Sequence, residues 1–537
     1  MKLLLNLSIE NLKNSIINYN MKNIKINRII ILLSFVCSIQ LVNQTAQAQT
    51  PANFSPSTYQ DADRNNRIAT TFPVAEQMIK KYAEEHHFPG YAFGIVVDGQ
   101  LVFKSSGGYA NLEEKIPASS SSMFRIASMS KSFTALAILQ LRDQGKLHLD
   151  DPVEMYIPAM KGQGLTKDAP VITIRHLMSH SAGFPEDNPW GDRQLADTEE
   201  ELLKLIKAGI SFSNAAGLEY EYSNLGFTML GYIIHKVSGL TYDAYIKKNI
   251  LAPIGMNETT YEFGNVPEKT LANGYRYINN NWRKETLLHD GIYGAMGGMI
   301  TSIDMFSKYL ALHEMAWPER NDGETFPVKR SSIREMHQSS KFIDLVPNYT
   351  YPSGRKLATT SSYTYGLTWM HDALGRNSVG HSGGLPGFGS NWRIMYDYGI
   401  GVILFANVTY APTSVINIAV LDTIVQLAKL KPRAISVSPI LQKRKVQLVS
   451  MLPNFTSSLP IFAENFFEDY PIETLKRDAA AILKEAGEII SVGEMVPENQ
   501  MRGYCIIQCQ EKKIKLAFTL TPENPGLIQE YHLSIVR

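Results

Sequence analysis

The sequence predicts a mixed α/β (α+β) fold, with one antiparallel sheet flanked by helices, a mostly helical subdomain, and a small α+β domain at the carboxy terminus. Three observations carry that reading. Tyr91–Val97 and Leu101–Lys104 flank Asp98-Gly99, a strong hairpin signal. A second hairpin follows Gly387, as Asn391–Tyr396 and Gly399–Ala406. The stretch between, from about 150 to 310, reads as helices joined by long loops. Strands at both ends of one region require the chain ends to meet in a single sheet, with the helices on its faces.

In chain order, Lys22, Lys25 and Arg28 form a basic segment ahead of the apolar run Ile29–Val42, and Ala46-Gln47-Ala48 is a small-x-small cleavage site. The apolar run suits a signal peptide and is short for a membrane span. Residues 1–20 form an over-long start, with Met21 the better-placed initiator, so residues 1–48 are assigned to start and signal peptide. The mature chain is expected to be exported, to the periplasm or medium, with no transmembrane span. Lipid anchoring through Cys37 is not expected, because Phe35 and Val36 fit a lipobox poorly. Residues 49–70 are polar and contain prolines, and read as a linker.

Val74–Glu85 is a short amphipathic helix. After the first hairpin comes Phe133–Leu141, apolar nearly all round and stopped by Gly145, which must be a buried helix. Helices are expected over Thr173–Ser179, Glu199–Ala208 and Leu225–Val237, the last closed by Gly239, and around Ser414–Leu427. The main domain spans 71–430. Beyond Lys431-Pro432 the character changes. Helical segments near 440–450, 460–468 and 472–486 precede strands at 487–495, 503–510, 512–520 and 527–535, where Ile514, Leu516, Phe518 and Leu520 alternate cleanly. Residues 432–537 therefore form a small α+β domain without recognisable chemistry.

The chain has 537 residues, 44% of them hydrophobic, enough for a large core and more than one domain. Its 52 basic against 51 acidic residues give a net charge of +1, which argues for neither nucleic acid nor an anionic membrane as partner. Cys505 and Cys509 lie four apart on one expected strand, too far apart to bridge each other.

The chemistry gathers at Ser128-Met129-Ser130-Lys131. Lys131 in the first turn of a buried helix opposes the helix dipole and is kept from water, so it breaks local rules where a functional site is expected. The i, i+3 spacing puts Ser128 and Lys131 on one face. Burial lowers the amine pKa, and a neutral amine can take the serine proton. The alternative role for Ser128 is a helix N-cap, but a capping box places Glu or Gln where Lys131 stands. A second Ser-x-x-Lys, Ser353 to Lys356, has no apolar helix behind it.

With these residues, the chain from about 70 to 425 resembles the serine hydrolases of the class C β-lactamase type, a family that includes penicillin-binding proteins, D-aminopeptidases and esterases. The family's Tyr-x-Asn motif matches Tyr222-Ser223-Asn224, which context selects over Tyr109-Ala110-Asn111 and Tyr277-Ile278-Asn279. Its third motif, usually Lys-Thr-Gly, is here His381-Ser382-Gly383, followed by Gly384. The blocks Ile174–Gly183 and Gly297–Ser302 also fit.

The resemblance implies a β-lactamase/transpeptidase-like fold and an acyl-enzyme on Ser128. Lys131 and Tyr222 share the base role, with the order between them open. Asn224 and His381 orient substrate or the Tyr222 hydroxyl, Gly383 belongs to the substrate-binding edge, and the Gly384 and Ser128 N–H groups hold the oxyanion. Asn224 can also cap the helix that follows it.

Two other patterns are set aside. Gly380–Gly384 fits Gly-x-Ser-x-Gly, but Leu385-Pro386-Gly387 cannot open the helix that a nucleophile elbow requires. His176 and His180 are four apart but lack the glutamate of a zincin, so no metal and no cofactor is called for. The expected substrate is a small molecule or peptide, cell-wall-derived peptides among them. Without the third-motif lysine, an ester or D-amino-acid peptide fits better than a β-lactam. An ordinary histidine at 381 is mostly neutral at pH 7 and gains charge as pH falls. The rival class is a non-catalytic protein that binds cell-wall peptides with the same fold.

Overall fold

The computed structural model describes residues 54–452 and 460–536, so the expected signal segment and Cys37 lie outside the described residues. The helices that frame the sheet and the site are α1 (Arg64–Ala69), α2 (Phe72–Glu85), α3 (Ser130–Asp143), α4 (Ile174–Met178), α5 (Glu199–Ala208), α6 (Asn224–Ser238), α7 (Ile303–Glu314) and α8 (Thr413–Leu427), with shorter ones between them. The strands of the main sheet are β1 (Gly90–Val97), β2 (Gln100–Asn111), β3 (Ile116–Pro117), β4 (Lys341–Thr350), β5 (Lys356–Tyr363), β6 (Thr368–Asp372), β7 (Asn377–Leu385), β8 (Phe388–Met395) and β9 (Ile400–Ala406). They assemble in the order β3-β2-β1-β9-β8-β7-β6-β5-β4.

The closure expected of the two hairpins is present: β1 runs antiparallel to β9, with Tyr91 opposite Ala406 and Val97 opposite Ile400. Every residue of β1 and of β9 is buried, because helices cover both faces of the sheet. Strand alternation divides them between two cores. Ala92, Val96, Ile403 and Phe405 join the core built with α3 and α6, while Phe93, Ile95, Val402 and Leu404 join the core under α2 and α8. Residues Ser130–Leu141 of α3 are all buried, as the all-round apolar sequence requires.

Three expectations change. The sheet is larger than two hairpins, because β4–β7 precede the second one. The segment read as a linker is folded from residue 56 onward. Thr58 and Ala434 exchange backbone hydrogen bonds of 3.1 and 2.8 Å, and buried Arg64 pairs with Asp98 at 2.8 Å while donating to the carbonyls of Tyr398 and Gly399. Polar composition there reflects docking through charge and backbone, not solvation. Asn224 is not the cap of α6. Ser223 is, its Oγ accepting from the Gly226 N–H at 3.3 Å, and Asn224 is already helical.

The chain divides after Ser436. The carboxy-terminal unit has helices α9 (Pro439–Met451) and α10 (Ile472–Ala486) and strands β10 (Ile489–Val492), β11 (Arg502–Cys509), β12 (Lys513–Leu520) and β13 (Ile528–Ile535), paired in that order. Cys505 and Cys509 alternate inward from β11 as buried free thiols. Among the described residues no helix is long and apolar enough to cross a membrane.

Candidate active site

Ser128 sits in a 3₁₀ turn, Ala127–Met129, that leads into α3. Ala127 takes φ +50°, a left-handed conformation that costs an alanine about 1–2 kcal/mol. The surroundings hold it there. The Ile126 carbonyl accepts from Ser390 Oγ of β8 at 2.7 Å, and the Ala127 carbonyl accepts from Ser130 Oγ at 2.7 Å. The Ser130 oxygen accepts in turn from the Met299 N–H at 3.1 Å. Ser128 makes no capping bond; the residue at the cap of α3 is Met129.

Lys131 is completely buried and its Nζ has three oxygen neighbours: Ser128 Oγ at 2.9 Å, Asn224 Oδ1 at 2.7 Å and the Met296 carbonyl at 2.9 Å. Burial lowers its pKa from 10.5 to about 7, against the opposing pull of Asp192 and Asp187. Burial pushes the Tyr222 hydroxyl well above the ordinary range, against the opposing effect of the neighbouring Ser128 side chain. Asn224 is fixed from its other end, since its Nδ2 donates to Asn188 Oδ1 at 2.6 Å. Asp187 accepts from the Asn224 and Leu225 N–H groups at 2.6 and 2.8 Å, so a carboxylate closes the amino end of α6, where the helix dipole favours one.

His381 faces this group from β7, but its hydrogen bonds run elsewhere than expected. Its Nδ1 meets the Ser382 carbonyl, which can only accept, so Nδ1 carries the proton and Nε2 accepts from the Tyr363 hydroxyl at 2.9 Å. The partner is thus Tyr363 of β5, not Tyr222, whose ring centre lies 6.4 Å away. Burial, with Lys131 beside it, holds the His381 pKa down to about 3. This shift opposes the charging expected of an ordinary imidazole on mild acidification.

Gly383 also departs from expectation. A Cβ there would lie 2.2 Å from the Ile126 carbonyl oxygen and 2.9 Å from the Ala127 Cβ, so Gly383 lets β7 pack directly on the Ser128 turn and does not line the cleft. Gly384 does line it, under the Tyr410 ring. Strand β6 pairs with β7 only from Asn377 to Gly380, so residues 381–385 are paired on the β8 side alone and leave an edge beside Ser128. The cleft has a volume of about 460 Å³ and is walled by Tyr220, Tyr222, Tyr363 and Tyr410, with Asp192 its single charged lining residue among those described.

The patterns set aside are engaged locally. His176 Nδ1 accepts from the Thr173 N–H in the cap of α4, and His180 Nδ1 accepts from the Ser223 N–H at 3.1 Å. Ser353 Oγ donates to Asp422 at 3.3 Å. Sequence reasoning missed Met296, Asp187, Asn188, Asp192, Tyr363 and Tyr410. Gly297-Gly298 pointed to the first by proximity, whereas the others sit in loops and strands without a distinguishing pattern.

The Beta-lactamase family model matches residues 75–425. Penicillin-binding protein 4* of Bacillus subtilis is 28% identical over 331 residues, 60% of this chain and 68% of the relative. Protein flp of Staphylococcus aureus is 33% identical over 206 residues, 37% of this chain, which spans only 40% of that relative's length. The octameric penicillin-binding protein homologue of Pyrococcus abyssi superposes with a TM-score of 0.54 at 25% identity, covering 86% of this chain and 99% of that one. A class C β-lactamase, at 17% identity and a TM-score of 0.52 over 68% of this chain and 98% of its own, shares the fold. The chain belongs to the Beta-lactamase family, serine hydrolases of the penicillin-binding-protein and class C β-lactamase kind.

Proposed function

We propose that this chain is an exported serine hydrolase that works through an acyl-enzyme on Ser128 and prefers esters or D-amino-acid amides and peptides to β-lactams. The observation that carries this is the set of partners around Lys131. Two of its three neighbours, Asn224 Oδ1 and the Met296 carbonyl, can only accept. A neutral amine gives both its hydrogens to them, and its lone pair is left for the Ser128 hydroxyl at 2.9 Å.

Ser128 then passes its proton to Lys131 as Oγ bonds to the substrate carbonyl carbon, and the carbonyl electron pair moves to oxygen. The Ser128 and Gly384 N–H groups, assigned by family resemblance, hold that oxyanion. Collapse expels the leaving group, which takes the proton back through Lys131 and the protonated Tyr222 hydroxyl. Water repeats the sequence to free Ser128. Asn224 orients Lys131, and His381 acts one step back by orienting Tyr363.

The substrate preference follows from charge. A neutral, buried His381 stands where a lysine would attract a carboxylate. His381→Lys is expected to raise the kcat/KM ratio of penicillins over p-nitrophenyl esters by about tenfold or more, the scale of one charge-assisted hydrogen bond. No change in that ratio would show that another cation reads the substrate. The reading as a whole is tested by intact-mass analysis after exposure to a fluorophosphonate, with the adduct mapped by peptide. A panel of p-nitrophenyl esters, D-alanyl peptides and a chromogenic cephalosporin follows. A single adduct on Ser128 and turnover of the neutral substrates are expected; an unlabelled chain would favour the silent binding protein.

A further inference from the structure

Asp192 is a carboxylate in the wrong company for a structural role. It is 1% exposed and belongs to the 3₁₀ turn Gly191–Arg193 that follows Asp187 and Asn188. Its Oδ2 accepts from the Tyr410 hydroxyl at 2.9 Å, while its Oδ1 has no hydrogen-bond partner. The nearby Lys131 amine does not serve it, since the three hydrogen-bonding oxygens around Nζ belong to Ser128, Asn224 and Met296. Buried carboxylates are ordinarily matched by a cation or by several donors. Here one phenol does that work.

The phenol also covers the neighbouring strand edge. Tyr410 takes φ +53°, is 41% exposed, and lies over Gly384, where an added Cβ would come within 2.6 Å of its ring. It reaches from the open edge of β7 to Asp192, and all three residues line the cleft that holds Ser128. A substrate laid along that edge would have to displace the ring from Gly384, and the hydroxyl with it, which would leave both Asp192 oxygens facing the ligand.

We infer that Asp192 is the specificity-determining residue of this cleft and selects substrates that carry a primary amine close to the scissile carbonyl, the Tyr410 hydroxyl holding its place until substrate enters. An ammonium supplies what the buried carboxylate lacks, three donors and a compensating charge. An uncharged acyl chain would instead strip Asp192 of its one partner and return nothing. The inference rests on the serine-hydrolase reading and narrows it to amino-acyl esters and amides.

The test uses protection of Ser128 from an uncharged alkyl fluorophosphonate by alanine p-nitroanilide, each enantiomer, against the N-acetylated compounds. In the wild type the free amine is expected to protect at concentrations at least tenfold lower for one enantiomer. Asp192→Asn is expected to bring that ratio close to one, whatever it does to the labelling rate itself. Tyr410→Phe, which removes the competing donor, is expected to raise the ratio. Equal protection by amine and acetyl compounds in the wild type, or a preference that survives Asp192→Asn, overturns the inference. If Asp192→Asn takes no label, Tyr410→Phe decides, and an unchanged ratio there overturns it. A wild type that takes no label overturns the serine reading instead, a result distinct from labelling without amine preference.

Discussion

Lys131→Ala is expected to slow acylation of Ser128 by about 10²–10⁴-fold, the range for loss of a positioned general base. Ser128→Ala is expected to abolish fluorophosphonate labelling altogether, while Ser353→Ala and Ser382→Ala leave the modified serine in place. Tyr222→Phe should cost about a hundredfold or more, and the double variant with Lys131→Ala less than the product, because in the proposed mechanism both groups manage one proton. With the Lys131 pKa near 7, acylation in the wild type rises with pH through that value and levels above it. His381 adds no limb at accessible pH.

The same lysine sets a dependence of stability on pH, with a definite sign. Its folded pKa is depressed, from 10.5 to about 7, so between those values the unfolded chain holds a proton that the folded chain has released. Stability therefore rises with pH across that window and is lost as pH falls toward 7. Relative to Lys131→Met, the wild type should gain about 1 kcal/mol per pH unit between pH 7 and 9 in denaturant unfolding. A parallel pair of curves would mean that Lys131 is charged in the folded protein and is not the base.

Gly383→Ala is the second large effect. The added methyl would stand 2.2 Å from the Ile126 carbonyl oxygen and 2.5 Å from Ser390 Oγ, the pair whose hydrogen bond fixes the Ser128 turn. The Ile126 carbonyl is backbone and cannot yield without moving β7 or the turn. A loss of stability on the order of 1–3 kcal/mol is expected from overpacking. Displacement of the nucleophile by about an ångström should cost about a hundredfold in labelling rate as well. Gly323→Ala, where the added carbon meets nothing within 4 Å, is the control and should shift stability by no more than about 0.5 kcal/mol. Normal melting and labelling in Gly383→Ala would remove the packing argument.

Much of this was legible before any coordinates, for physical reasons. The all-round apolar α3 could only be buried, and Lys131 inside it could only be functional or ruinous. Clean alternation disclosed β12, and Asp98-Gly99 disclosed the first hairpin. Strand β4 was illegible because most of its residues face solvent, leaving no alternation to read. A capping role for Asn224 stayed open because the sequence did not reveal that Ser223 and Asp187 together take the first N–H groups of α6, which leaves the Asn224 side chain to face Lys131. His381 was seen, but its partner Tyr363 was not, since nothing in a one-dimensional chain announces which tyrosine a strand will bring opposite an imidazole. Asp192 and Tyr410 were missed for the same reason: each is ordinary until the other is beside it.

The pairing of β1 with β9 also has a consequence in time. Residues 98–399 lie between these neighbours, and loop closure of that length must precede their contact. The Ser128 turn is braced by Gly383 of β7 and Ser390 of β8, both made late in synthesis. A ribosome that has delivered Ser128 and Lys131 has therefore not yet delivered the assembled cleft. The growing chain carries Ser128 without its strained turn or its open strand edge until nearly the entire domain has emerged. Nascent fragments ending before β8 should be inert toward acylating agents, and reactivity should arrive in one step, with the sheet.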